Sequence, residues 1–341
     1  MEKIIFIKSC KCFAKKSLSV SLLLLFLFLF SVSTKASTFT IPDWVINSAV
    51  FVMNGDRPFG SGFLLGLRED GVTYCYLITA KHVIVPLLSE GRKLLTLRFN
   101  HKNNQDPIIM TFSTDSYNDK QWLEHENKSV DIAIVPIPIF DKQTGDISPK
   151  DLNVNMYIID NPTSDYLATK EWINKYNIAR GDKVFTIGLV PSLYSKNERN
   201  LVLSRFGNIS LLSQKELDLP RGKQKVYFVD CPSFGGNSGG PVYVLLERTE
   251  ASEPVLGWRI ALLGVVIEFV ESPLRTEEVE LQEKEREKGL KLLENTGISK
   301  VVPVDYIVDI LFSDSLKASR KQVTQTIKKN IKNEVPQKNE N

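Results

Sequence analysis

The chain has 341 residues, 43% of them hydrophobic, and a formal net charge of +3. That length is too great for one small domain, and the composition argues against a collagen-like, wholly disordered or multi-span membrane protein. Residues 1–36 hold six lysines and one glutamate, and beyond them acidic residues outnumber basic ones by two, so no basic stripe points to nucleic acid.

The chain opens as a targeting segment. Lys3, Lys8, Lys11, Lys15 and Lys16 precede an apolar run from Leu18 to Val32, and Thr34-Lys35-Ala36 offers small residues for cleavage. The run is short for a membrane span, which takes about 20 residues. Residues 1–36 therefore read as a signal peptide, with an uncleaved N-terminal anchor as the alternative. A buried core helix would leave the lysines without a place. The expected location is secreted or periplasmic, or membrane-held through that segment alone. Beyond the leader only Cys75 and Cys231 remain, which makes no disulfide framework, and no metal-ligand spacing is present.

Short apolar and β-branched runs follow. They include Ala49–Val52, Ser61–Leu65, Tyr74–Ile78, Ile132–Val135, Val184–Ile187, Val226–Val229 and Leu262–Ile267. Asp70-Gly71 between two of them reads as a hairpin tip. Many short strands with turn signals predict an all-β sandwich or barrel. Stretches near 100–127 and 141–166 read as long surface loops. Glu277 to Leu293, dense in Glu, Lys and Leu, reads as an exposed charged helix or an inserted loop. Val304 to Phe312 has apolar spacings of three and four and suits a closing amphipathic helix. The basic, polar stretch 317–341 is expected to be disordered.

The sharpest chemical signal is Phe234-Gly235-Gly236-Asn237-Ser238-Gly239-Gly240-Pro241. Acyl transfer needs a nucleophile on a tight turn with backbone N–H groups aimed at the developing oxyanion, and glycines permit that backbone. Ser238 is the candidate nucleophile, and the N–H groups of Gly236 and Ser238 are the candidate oxyanion donors. His82 follows an apolar strand and a small-residue turn, Leu77-Ile78-Thr79-Ala80-Lys81, and is the candidate base. His101 and His125 lie in polar stretches and read as solvated surface residues. Asp131 opens Asp131-Ile132-Ala133-Ile134-Val135 and leads into an apolar run between His82 and Ser238, the place for a carboxylate that orients the imidazole. Each also has an ordinary reading: a glycine-rich surface turn, a structural histidine, a strand-opening cap.

At these residues the chain resembles the trypsin-like serine proteases, and specifically their HtrA-like, bacterial-type branch. Gly60-Ser61-Gly62-Phe63 resembles the first-strand motif of that branch, and Thr79–Val83 its histidine motif. Gly181–Gly188 and Gly207–Ser210 resemble the start of its second barrel, Asp230–Pro241 its nucleophile motif, and Gly297–Asp305 its closing segment. The likeness covers roughly residues 44–312, with His, Asp and Ser in the family's order. It implies two chymotrypsin-like six-stranded β-barrels with a C-terminal helix, a triad in the cleft between them, and no cofactor. On that frame residues 37–316 form the peptidase domain, with the barrels meeting near 145–180 and a charged insertion at 271–296. No hundred-residue segment follows for the PDZ module typical of HtrA proteins.

The resemblance also places Pro232, Ser233 and Phe234 with Ile267, Glu268 and Phe269 around the specificity pocket, and implies a preference for an uncharged side chain there. Asn237 stands where digestive zymogens carry an aspartate that pairs with a newly cut N-terminus, so activation by such a cut is not expected. Two functions follow from different classes. One is a serine endopeptidase acting on protein or peptide substrates through Ser238, His82 and Asp131. The other is a catalytically inactive binding or scaffold protein on the same fold.

Overall fold

Antiparallel strands follow one another in two sets. The computed structural model describes residues 39–88, 93–103, 106–114, 122–137, 152–220, 222–246, 258–273 and 293–334. The targeting segment 1–36, the bulk of the charged stretch at 274–292, and residues 335–341 lie outside these. Residues 1–40 and 41–341 form separate units, and the second is described here.

The first set begins with a helical turn, α1 (Asp43–Ile46), and strands β1 (Ala49–Asn54), β2 (Arg57–Glu69) and β3 (Val72–Thr79). Asp70 and Gly71 join β2 to β3 with φ of 52° and 81°, the left-handed pair that a two-residue hairpin requires. Helix α2 (Lys81–Leu88), β4 (Leu94–Phe99), β5 (Ile108–Ser113), β6 (Ala133–Ile137) and β7 (Tyr157–Ile159) complete it. β5 and β7 fall in stretches that the sequence reads as loops. The sheet runs β5-β4-β1-β2-β3-β6, with β7 on β2. β1 pairs with the first half of β2, from Arg57 to Phe63, and β7 lies parallel to Leu65–Leu67 beyond it.

A closed six-stranded first barrel is expected; among the described residues it is a seven-stranded half-barrel in which β5 and β6 share no ladder. The outer edge of β6 is taken instead by Leu123, whose backbone exchanges hydrogen bonds with Ile134 at 2.7 and 2.9 Å. Pro136 supplies no N–H, which suits β6 to an edge.

The second set does close. After α3 (Lys170–Lys175) come β8 (Lys183–Leu189), β9 (Val202–Leu212), β10 (Leu217–Leu219), β11 (Gly222–Gln224) and β12 (Tyr227–Asp230). β13 (Pro241–Leu246), β14 (Arg259–Pro273) and β15 (Leu293–Pro303) follow. The barrel order is β12-β15-β14-β13-β8-β9. Its core includes Val184, Val229, Val242, Val244, Leu263 and Val301. The ends of the stretch read as an insertion are strand: Glu271 pairs with Asn295, Ser272 with Glu294 and Pro273 with Leu293, prolonging the β14–β15 hairpin.

Helix α4 (Asp305–Leu311) closes the barrel where the apolar spacing predicts a helix. The expected disorder of 317–341 is corrected over the described residues, where α5 (Asp314–Glu334) is helical; residues 335–341 lie outside them. Its buried face is Leu316, Arg320 and Thr324, one residue per turn. Arg320 is fully buried; its Nε pairs with Glu69 Oε2 at 2.5 Å and its Nη1 donates to the Leu311 carbonyl at 2.7 Å. Tyr74 Oη, from β3, donates to the Arg320 carbonyl at 2.8 Å. The chain is mostly β, and a closed antiparallel barrel, a half-barrel ahead of it and a helix after the last strand are consistent with the chymotrypsin-like two-barrel architecture that the resemblance implies.

Candidate active site

His82 sits in the first turn of α2, where the sequence predicts only a turn, just beyond the end of β3. Its imidazole Nδ1 lies 2.8 Å from Asp131 Oδ2, and its backbone N–H donates to Asp131 Oδ1 at 2.9 Å. Both carboxylate oxygens therefore hold one residue. Asp131 is 2% exposed and the His82 side chain 30%. A buried carboxylate on Nδ1 favours the tautomer in which Nδ1 carries the proton and Nε2 is the acceptor. The second half also holds Asp131: its N–H donates to Gln224 Oε1, on β11, at 3.3 Å.

Two successive turns that share Asn237 shape the nucleophile segment, and Ser238 lies in the second. Asn237 N–H donates to the Phe234 carbonyl at 3.0 Å, and Gly240 N–H to the Asn237 carbonyl at 2.9 Å. The third residue of each turn is a glycine with positive φ, Gly236 at 94° and Gly239 at 92°. A Cβ on Gly236 would meet Pro191 Cγ at 2.2 Å, and one on Gly239 would meet the Ser61 carbonyl at 1.9 Å. Glycine is thus required twice over, by conformation and by space. The backbone N–H groups of Gly236 and Ser238 have no protein acceptor among the described residues.

The turn is bound to the first half. Ser61 N–H donates to the Ser238 carbonyl at 3.0 Å, and Ser61 Oγ donates to the Gly236 carbonyl at 2.7 Å. Thr79 Oγ1, three residues before His82, donates to the Ser61 carbonyl at 2.7 Å. This seam ties β2 and the end of β3, three residues before His82, to the Ser238 turn. The Ser238 hydroxyl donates to the Ile267 carbonyl at 3.2 Å, the one hydrogen bond of that side chain among the described residues.

Of the expected pocket residues, Ser233 is 1% exposed, Ile267 is 3% exposed and Phe234 is 51% exposed. Pro232 is exposed and Phe269 half-buried. Glu268 is paired with Lys300 of β15, Oε2 to Nζ at 2.7 Å. Asn295 Nδ2 donates to the Ser233 carbonyl at 2.6 Å and Ser299 Oγ to the Cys231 carbonyl at 2.6 Å, fixing the segment between β12 and the nucleophile turn. Asn295 and Gln224 carry no motif, and although Ser299 and Lys300 lie in the closing segment, only the register shows their partners. Ser61 lies in a motif, but only the fold reveals its bonds.

His125 is more enclosed than its polar setting predicts. Its Nδ1 accepts from Asn127 N–H at 3.0 Å, its Nε2 lies 3.5 Å from Asp309 Oδ2, and its ring meets Tyr306 edge-on at 4.9 Å. Cys75 and Cys231 are free and buried.

No protein-family model and no curated protein sequence matches the chain. Among solved structures it is similar to the MamO protease domain from Magnetospirillum magneticum in its apo form. That likeness has 14% identity and a TM-score of 0.40 over 78% of this chain and 96% of that one. It is similar to the HtrA-type protease AlgW with decapeptide at 14% identity and TM-score 0.38, covering 75% of this chain and 51%, about half, of that one. The serine protease domain of the Sesbania mosaic virus polyprotein gives 16% identity and TM-score 0.36 over 79% of this chain and 94% of that one. At these identities and scores the likeness bears on neither activity nor substrate.

Proposed function

We propose that the chain is a serine endopeptidase. The observation that carries this reading is the double grip of Asp131 on His82, through both the imidazole Nδ1 and the backbone N–H; the Ser238 turn supports it with two N–H groups that have no protein acceptor among the described residues. In the proposed reaction a peptide carbonyl enters with its oxygen toward the N–H groups of Gly236 and Ser238. Ser238 Oγ leaves the Ile267 carbonyl, passes its proton to His82 Nε2 and attacks the carbonyl carbon. Asp131 steadies the imidazolium, which then gives the proton to the departing amine. Water, deprotonated in turn by His82, hydrolyses the acyl-enzyme and frees Ser238. On this reading the substrates are proteins or peptides, and the apolar leader directs the chain out of the cytoplasm.

The test is fluorophosphonate labelling together with casein cleavage. The wild type should label at Ser238 and cleave, and Ser238→Ala should do neither, losing at least about three orders of magnitude in rate. A folded wild type that neither labels nor cleaves would favour the inactive binding protein instead.

A further inference from the structure

We infer that Arg205, on β9, is a positioning residue of the Ser238 turn, and this rests on the endopeptidase reading. The two ends of the turn Phe234–Asn237 both contact it. Asn237 is 2% exposed, so its side-chain amide must find partners in the protein. In the orientation that satisfies both neighbours, its nitrogen donates to the Leu189 carbonyl at 3.2 Å and its oxygen accepts from Arg205 Nη1 at 2.5 Å. At the other end, the Phe234 ring stacks on the same guanidinium, 4.9 Å from Cζ to the ring centroid.

One planar cation thus binds the first and fourth residues of the turn, by its edge and by its face. Only Gly235 and Gly236 lie between. Glycines are the residues least able to hold a conformation for themselves. With both ends fixed, the arc that carries the Gly236 N–H has little freedom left. The site around Asn237 is tight from every side: a Cβ on Gly188 would sit 3.3 Å from its Cγ, and one on Gly240 would sit 3.0 Å from its carbonyl oxygen. Arg205 is itself anchored in the β8–β9 ladder opposite Thr186, and Cys231 Sγ bonds its carbonyl at 3.6 Å. A guanidinium donates charge-assisted bonds and stacks on a ring at once, which a lysine ammonium cannot match.

The experiment uses the full chain with Arg205→Met and Arg205→Lys. Amide hydrogen exchange would be read in peptides covering 231–241 and, as reference, 259–267, alongside kcat and KM on a fluorogenic peptide. Arg205→Met should speed exchange at Asn237, Gly239 and Gly240 at least about tenfold while the reference peptide stays unchanged. It should lower kcat about 10- to 100-fold and leave KM within about threefold. Arg205→Lys should recover part of both. Should Arg205→Met fail to fold, Asn237→Ala removes the same bond from the other side and should reproduce the exchange pattern. Turn exchange within about twofold of wild type, or a parallel rise across both peptides, overturns the proposal. If the wild type cleaves nothing, the endopeptidase reading fails by itself and the exchange measurement still decides the role of Arg205.

Discussion

The backbone N–H of Ser61 donates to the carbonyl of Ser238 at 3.0 Å, so the half-barrel grips the very residue proposed to attack the substrate. The Ser61 hydroxyl adds a bond to the Gly236 carbonyl at 2.7 Å and accepts from the Leu189 N–H at 3.3 Å. Ser61→Ala keeps the backbone bond and loses every bond of the hydroxyl, the longer one to the Leu189 carbonyl at 3.4 Å included. We expect kcat to fall about tenfold with KM little changed, because the loss falls on a group aimed at the transition state. Steady-state kinetics on a peptide substrate decide it, and an unaltered kcat would refute the clamp.

The ion pair between Glu268 and Lys300 bears on side-chain selection. With Lys300 Nζ at 2.7 Å, the acid beside the expected pocket is compensated, and an uncharged residue should be preferred before the scissile bond. Lys300→Ala removes the counter-charge. Profiling with a peptide library should then show Arg and Lys enriched at that position by about tenfold over wild type. An unmoved profile would place Glu268 outside the pocket.

Burial pushes the Cys75 thiol up to about 12 and the Cys231 thiol up to about 11. Both are therefore protonated at pH 8, where thiolate is the reactive form. Iodoacetamide should modify the native protein at least about 100-fold more slowly than the urea-unfolded chain. The sign for stability follows. Above the ordinary thiol value of 9.0, the unfolded chain releases protons that the folded chain keeps. Stability then falls as pH rises, by about 1.4 kcal/mol per unit for each thiol until its folded value is reached. Between pH 8 and pH 10 denaturant melts should lose about 1.4 kcal/mol for each thiol, and the Cys75→Ala, Cys231→Ala double variant should lose less by that amount for each.

Arg320 is fully buried with Glu69, whose side chain is 33% exposed. Arg320→Met should cost about 2–3 kcal/mol in a urea melt, less than a fully buried pair because Glu69 can turn to water. Lys321→Met, at an exposed neighbour, should stay within about 0.5 kcal/mol. Equal effects would mean that α5 is not docked through Arg320.

These outcomes trace what the sequence does and does not disclose. The Asp70-Gly71 hairpin and the double-glycine turn around Ser238 are legible because their backbone conformations admit few residue types. His82 is legible because it ends an apolar run. α5 is not: its buried stripe of Leu316, Arg320 and Thr324 contains one apolar residue, so a search for apolar periodicity passes over it. The strand ends at Glu271–Pro273 and Leu293–Asn295 are hidden for a like reason, since charge there reads as a solvated segment although the ladder continues. Lys300 and Gln224 matter through partners 32 and 93 residues away, and no local pattern records such a distance.

The contact of Ser61, Thr79 and Gly239 constrains how such a chain can change over generations. A Cβ on Gly239 would stand 1.9 Å from the Ser61 carbonyl and 2.3 Å from Thr79 Oγ1, with two of the three positions encoded in the first half and one in the second. The halves therefore cannot drift apart as separate modules. A recombinant that joins the first half of one relative to the second half of another should inherit a working seam only when all three positions travel as a matched set. Crossover points between β7 and β8 should be tolerated or lethal according to that triplet rather than to the number of other differences.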